Sequence, residues 1–91
     1  MPRPYLDPDE LERLCFLAVG DIFANGHKST GFVPKLELWA RLDISHDVGE
    51  LLRAELESRG LVDARVSMNS IRLSARGRGL AEQISAVEHP D

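Results

Sequence analysis

Five arginines, Arg59, Arg65, Arg72, Arg76 and Arg78, fall within residues 59 to 78, where Asp63 is the single acid. Guanidinium groups at that density suit phosphates and other anions, which they grip through forked, charge-assisted hydrogen bonds. The chain as a whole has the opposite sign, with 15 acidic against 11 basic residues and a net charge of −4. Four acids, Asp7, Asp9, Glu10 and Glu12, crowd residues 7 to 12, and six more occupy residues 37 to 57 beside Arg41 and Arg53. A basic segment on an acidic protein implies either a directed contact with something anionic or pairing with the protein's own carboxylates. The sequence leaves both open.

Other chemistries find less support. His27, His46 and His89 are scattered and Cys15 sits in an apolar run, so no pair has metal-ligand spacing, and neither a metal nor another cofactor is expected. The run from Gly26 through His27, Lys28, Ser29 and Thr30 to Gly31 lacks the order of a phosphate loop and would follow a helix instead of a strand. It reads as a plain loop in which Lys28 could touch a ligand or partner. The acids at 7 to 12 are explained by helix capping and the helix dipole. No nucleophile stands with a base, and 91 residues rarely enclose a substrate pocket, so the expectation is a protein without catalytic activity.

One cysteine excludes a disulfide framework and fits a reducing compartment. The longest apolar run, Leu14 to Val19, is too short to span a bilayer, and acids precede it where a signal peptide would carry positive charge. A cytoplasmic protein is expected. The length allows one domain, burying about 60–65% of its unfolded surface, which implies modest stability or dimerisation.

The elements that must position the arginines follow from spacing. Asp7 as N-cap, Pro8 at the first helical position and Glu10 three residues after the cap predict a capping box, with Leu6 and Leu11 as a hydrophobic staple. Leu11, Leu14, Cys15, Ala18 and Ile22 keep the helical period until Asn25 and Gly26 stop it. Phe16, Leu17 and Val19 widen the stripe beyond one core face, as a helix wrapped on most sides or meeting a second subunit would require. Residues 26 to 33 read as a loop with room for a very short strand at its end. Pro34 opens a second helix through Leu42, Asp43 and Ile44 make a tight turn, and Ser45 caps a third helix to about Arg59, ended by Gly60. Alternation then predicts a hairpin. Val62, Ala64 and Val66 face the same side as Ile71, Leu73 and Ala75, and a turn at Met68 and Asn69 sets Val66 opposite Ile71 and Ala64 opposite Leu73. In that register Arg65 stands directly across from Arg72, an unfavourable pair unless something anionic lies between them or Asp63 and other carboxylates screen it. A last helix covers roughly 77 to 88, docking through Leu80, Ile84 and Val87. Residues 1–6 and 89–91 are tails around a single domain, 7–88.

This order, helix, strand, helix, helix, hairpin, helix, in a mainly α chain with a small β-hairpin (α+β), resembles the winged helix-turn-helix superfamily. Three stretches carry the resemblance: Leu38 to Ser45 resembles the helix-turn-helix core, Leu56 to Val62 the junction between third helix and wing, and Ile71 to Ala81 the second wing strand running into the last helix of MarR-like and PadR-like regulators. Trp39 departs from the pattern where a small residue is common, and Gly49 where a β-branched one is. The two departures imply compensation, Gly49 vacating the volume that the indole fills.

The resemblance implies double-stranded DNA as partner and a transcriptional regulator without an effector domain. Ser45, His46 and Arg53 of the third helix would meet the major groove, and Arg65, Arg72, Arg76 and Arg78 the flanking phosphates. A homodimer through helix one and the last helix would set the half-site spacing. The opposing reading is a protein-interaction module on the same scaffold: an adaptor, a complex subunit or a mobile-element-encoded inhibitor. There Asp47, Glu50 and Glu57, on the outward side opposite Val48, Leu52, Leu56 and the Arg59 stem, would meet a basic protein surface.

Overall fold

Asp7 begins the first ordered element: its carboxylate accepts a hydrogen bond from the Asp9 N–H at 3.0 Å, and Pro8 takes the first helical position of α1 (Pro8–Asn25). The computed structural model describes residues 7–26, 28, 30–63 and 69–88, with backbone alone at 86–88. The capping box closes on one side only. Glu10 is bonded to Arg13 on the next turn instead of reaching back to the Asp7 N–H, and the staple partner Leu6 lies outside the described residues.

After the loop come β1 (Val33–Pro34), α2 (Lys35–Leu42), α3 (His46–Ser58), β2 (Val62–Asp63), β3 (Ser70–Leu73) and α4 (Ala75–Glu88). Asp43 supplies the left-handed turn between α2 and α3, at φ 57° and ψ 48°. Ser45 caps α3 by accepting from the Val48 N–H at 3.2 Å, and Gly60, at φ +70°, turns the chain out of it. Among the described residues the result is an α+β arrangement of four helices and one small antiparallel sheet.

The sheet has three strands in the order β1-β3-β2, so the two-residue strand before α2 pairs with β3, Val33 against Ile71 and Pro34 against Ser70. Between β2 and β3 the register is Val62 against Leu73 and Asp63 against Arg72, two residues away from the register that the alternation suggests. The cause lies at the helical end. The Ser74 N–H bonds the Leu61 carbonyl at 2.9 Å, which fixes the pairing where α3 feeds β2. An even shift leaves every side chain on its expected face, and Val62, Ile71 and Leu73 are indeed buried. Ala64, Val66 and Met68 fall outside the described residues.

The last helix starts two residues earlier than expected, and Ala75 is exposed helix instead of inward-facing strand. Ser74 is responsible. Its hydroxyl donates to the Gly60 carbonyl at 2.6 Å and accepts from the Gly77 N–H at 3.1 Å, which ends β3 and caps α4.

The core gathers Leu14, Ala18 and Ile22 of α1, Leu38 and Trp39 of α2, Leu52 and Leu56 of α3, Ile71 and Leu73 of β3, and Ala81 of α4. Gly49 joins the inward side of α3, while Val48 is half-buried. On α1, Val19 is buried, whereas Phe16, Leu17 and Phe23 are exposed. Among the described residues no helix is long and apolar enough to cross a membrane.

Candidate functional site

The outward side of α3 is a chain of ion pairs. Arg53 Nε donates to Glu50 at 2.9 Å and its Nη1 to Glu57, residues three and four positions away on the same face. Lys35, from the first turn of α2, donates to the other oxygen of Glu50 at 3.1 Å with its side chain largely buried. Burial pushes the Glu50 carboxyl up, but the bonds from Arg53 and Lys35 outweigh it and hold it below the ordinary carboxylate range. The hydrogen bonds that Arg53 donates to Glu50 and Glu57 raise its guanidinium in turn. Asp47 stands exposed on the same face.

The sheet repeats the theme. Arg72 Nη2 donates to Asp63 at 2.8 Å, and the guanidinium lies 5.0 Å from the centre of the Phe32 ring. The expected Arg65–Arg72 opposition is therefore corrected: Asp63 occupies the cross-strand position, because the register is set from Leu61 and Ser74. Arg65 lies outside the described residues.

The remaining candidates separate. Ser45 spends its hydroxyl on the α3 cap. His46 is exposed at the start of α3, beside an apolar recess lined by Pro34, Leu36, Glu50 and Asn69. Leu36 there is 69% exposed. Arg76 and Arg78 project from the first turn of α4, exposed and without an ion pair among the described residues. Glu57 of α3, Asp63 and Arg72 of the sheet, and Arg78 and Glu82 of α4 line one open groove of about 800 Å³. Among the described residues, three carboxylates and two guanidiniums line it.

No protein family, curated protein or solved structure matches the chain.

Burial pushes the Cys15 thiol up, away from the nucleophilic thiolate. Among the described residues no group of three His, Cys, Asp or Glu side chains could hold a metal ion. The sequence points to Glu50, Arg53 and Glu57 through their spacing, but Lys35 is fifteen residues from Glu50 and carries no local signal. Phe32 was equally hidden, since it gains its role from the Arg72 guanidinium above it, while Leu36, which helical spacing counts among the apolar contacts of α2, is exposed instead.

Proposed function

We propose that the chain is a protein-interaction module on a winged-helix scaffold, and that the face formed by α2, α3 and the groove beside the sheet receives a basic surface of a protein partner. The scaffold reading is supported by the element order and by the pairing of β1 with β3, which joins the strand before α2 to the hairpin.

The observation that carries the reading is the Lys35–Glu50–Arg53–Glu57 chain. A phosphate docking on α3 would have to draw Arg53 away from two carboxylates, leaving Glu57 without this partner and Glu50 held by Lys35 alone. A basic protein surface meets Asp47 and Glu57 with the favourable sign and leaves the chain intact. The three-to-two excess of carboxylates lining the groove works in the same direction.

A photoreactive side chain in place of Ala54, exposed at the centre of the α3 face, tests the reading in cells. Protein adducts that vanish when Glu50 and Glu57 are reversed to lysine are expected. Adducts to nucleic acid would overturn it.

One observation favours DNA instead: among the described residues Arg76 and Arg78 have no ion pair at the positive end of α4. In that reading α3 lies at the major groove, the two arginines hold phosphates, and the protein regulates transcription. Anisotropy of a labelled random duplex separates the readings. Binding that falls steeply with salt supports the DNA reading, and no binding at low salt removes it.

A further inference from the structure

The core takes Leu38 and Trp39 from α2 and leaves Leu36 outside it, exposed at the first turn of the helix. A single exposed leucine is ordinary. Here, however, Leu36 lines a recess of about 410 Å³ together with the exposed Pro34 and with His46 and Glu50 of α3, and the wall of that recess is mostly apolar. The recess suits one large apolar side chain and not a helix, which is about 10–12 Å across with its side chains. The neighbouring strand limits how an occupant is held. β1 lies at an edge of the sheet, but it has two residues and Pro34 is one of them, so it offers a partner strand at most one N–H. Side chains must do the holding.

Charge decides what flanks that side chain. Lys35, Glu50, Arg53 and Glu57 pair among themselves and cancel. Asp47, exposed and next to His46, has no ion pair among the described residues, so the balance beside the recess is negative. Glu57 ends the pairing chain seven residues along α3 from Glu50. That rise is about 10 Å, which about three residues of extended chain span.

We infer that the recess is where the partner is anchored: it takes one leucine- or phenylalanine-sized side chain of an extended basic segment. A lysine or arginine beside that anchor meets Asp47, and another about three residues on meets Glu57. This rests on the reading of the α3 face as a receiver of a basic protein surface, and it adds the form of the ligand. Burial of the apolar side chain against Pro34 and Leu36 supplies affinity that exposed ion pairs do not, while the acids fix the direction in which the segment lies. A phosphate backbone has nothing apolar to place against Leu36.

A phage-displayed library of random peptides, selected on the full chain, tests it. Enriched sequences are expected to carry one leucine or aromatic residue with a lysine or arginine next to it and a second about three residues on. For a labelled peptide of that set, followed by anisotropy, Leu36→Ser is expected to weaken binding at least about tenfold. The circular dichroism spectrum should not change, since Leu36 lies outside the core. Alanine in place of the peptide's apolar residue should cost as much with the parent protein and nothing further with the Leu36→Ser protein. Asp47→Lys is expected to weaken binding at low salt and less so at high salt. Basic peptides without an apolar residue, or a cycle in which the two losses simply add, overturn the recess and leave the reading of the α3 face standing. Peptides anchored at Leu36 that lack basic residues and ignore Asp47→Lys overturn the basic segment, and with it the reading beneath. A selection that enriches nothing overturns the recess as a peptide site.

Discussion

A Cβ placed on Gly49 would stand 2.5 Å from both Cδ2 and Cε2 of Trp39 and 2.7 Å from its Nε1, so α3 crosses the indole with only a hydrogen atom at the closest point. Trp39 is buried there and its N–H finds no acceptor among the described residues. An unsatisfied buried donor costs about 1–3 kcal/mol. The indole's large apolar area offsets that cost, but only if α3 can close over it, and glycine is the residue that permits this.

Gly49→Ala therefore tests packing against propensity. Alanine gains about 1 kcal/mol as a helix former, while a methyl group driven into the indole costs about 1–3 kcal/mol. A net loss is expected in urea denaturation, and a larger one for Gly49→Val. Combining Gly49→Ala with Trp39→Leu should recover part of the loss, because the second change clears the volume the first invades. A Gly49→Ala protein more stable than the parent would remove the packing argument.

Ser74 ties three elements together: its hydroxyl bonds Gly60 beyond α3 and Gly77 in α4, and its N–H bonds Leu61 before β2. Ser74→Ala removes the cap and leaves the Gly60 carbonyl without this donor, a loss of about 1–2 kcal/mol. Hydrogen exchange should show the added opening at the start of α4 and the end of β3. Equal exchange in both proteins would mean that the cap contributes nothing.

That residue also marks where the sequence was legible and where it was not. Apolar period and capping chemistry are local, so α1, α2 and α3 could be bounded to within a residue or two, and the Gly49–Trp39 compensation could be read from two departures on facing helices. The hairpin register could not. It is set by Leu61 and Ser74, thirteen residues apart, while Met68 and Asn69 lack the glycine that would have specified a turn. An error of two residues preserved the faces, so Val62, Ile71 and Leu73 were identified as core while Ala75 was misplaced and Arg72 was given the wrong neighbour. Pairing of β1 with β3 joins segments nearly forty residues apart through two residues, one of them Pro34, and no local pattern announces it. Of the α3 ion pairs, those at three- and four-residue spacing were within reach, and the Lys35 contact depends on how α2 lies against α3.

Glu50 gives the chain an acid limb. Its carboxyl titrates below its ordinary value because Arg53 and Lys35 hold the charged form against the cost of burial. A depressed folded-state pKa means stability that is fully present above the unfolded value, near pH 4.5, and is lost as pH falls through the lower folded value. Glu50→Gln should cost about 1 kcal/mol or less at neutral pH, since the group is partly solvated. Thermal melts of the two proteins should converge as the pH drops below 4.5. A gap that persisted unchanged at the lowest pH would show that the carboxylate charge has no part in it.

The same network makes a claim about binding that can be read directly. If Arg53 is unavailable to phosphates because Glu50 and Glu57 occupy it, neutralising both acids should release it without altering the backbone. Glu50→Gln with Glu57→Gln raises the charge of the α3 face by two and frees Lys35 as well as Arg53. The double variant is expected to gain affinity for a random duplex at low salt, with log K falling against log salt by about 0.9 for each phosphate contact made. The parent is expected to show little or none. Adding Arg53→Ala should abolish the gain, which ties it to that side chain instead of to net charge. A parent that already binds DNA with a steep salt dependence would instead move the function to Arg76 and Arg78. A double variant that gains nothing would show that the carboxylates do not hold this face away from nucleic acid.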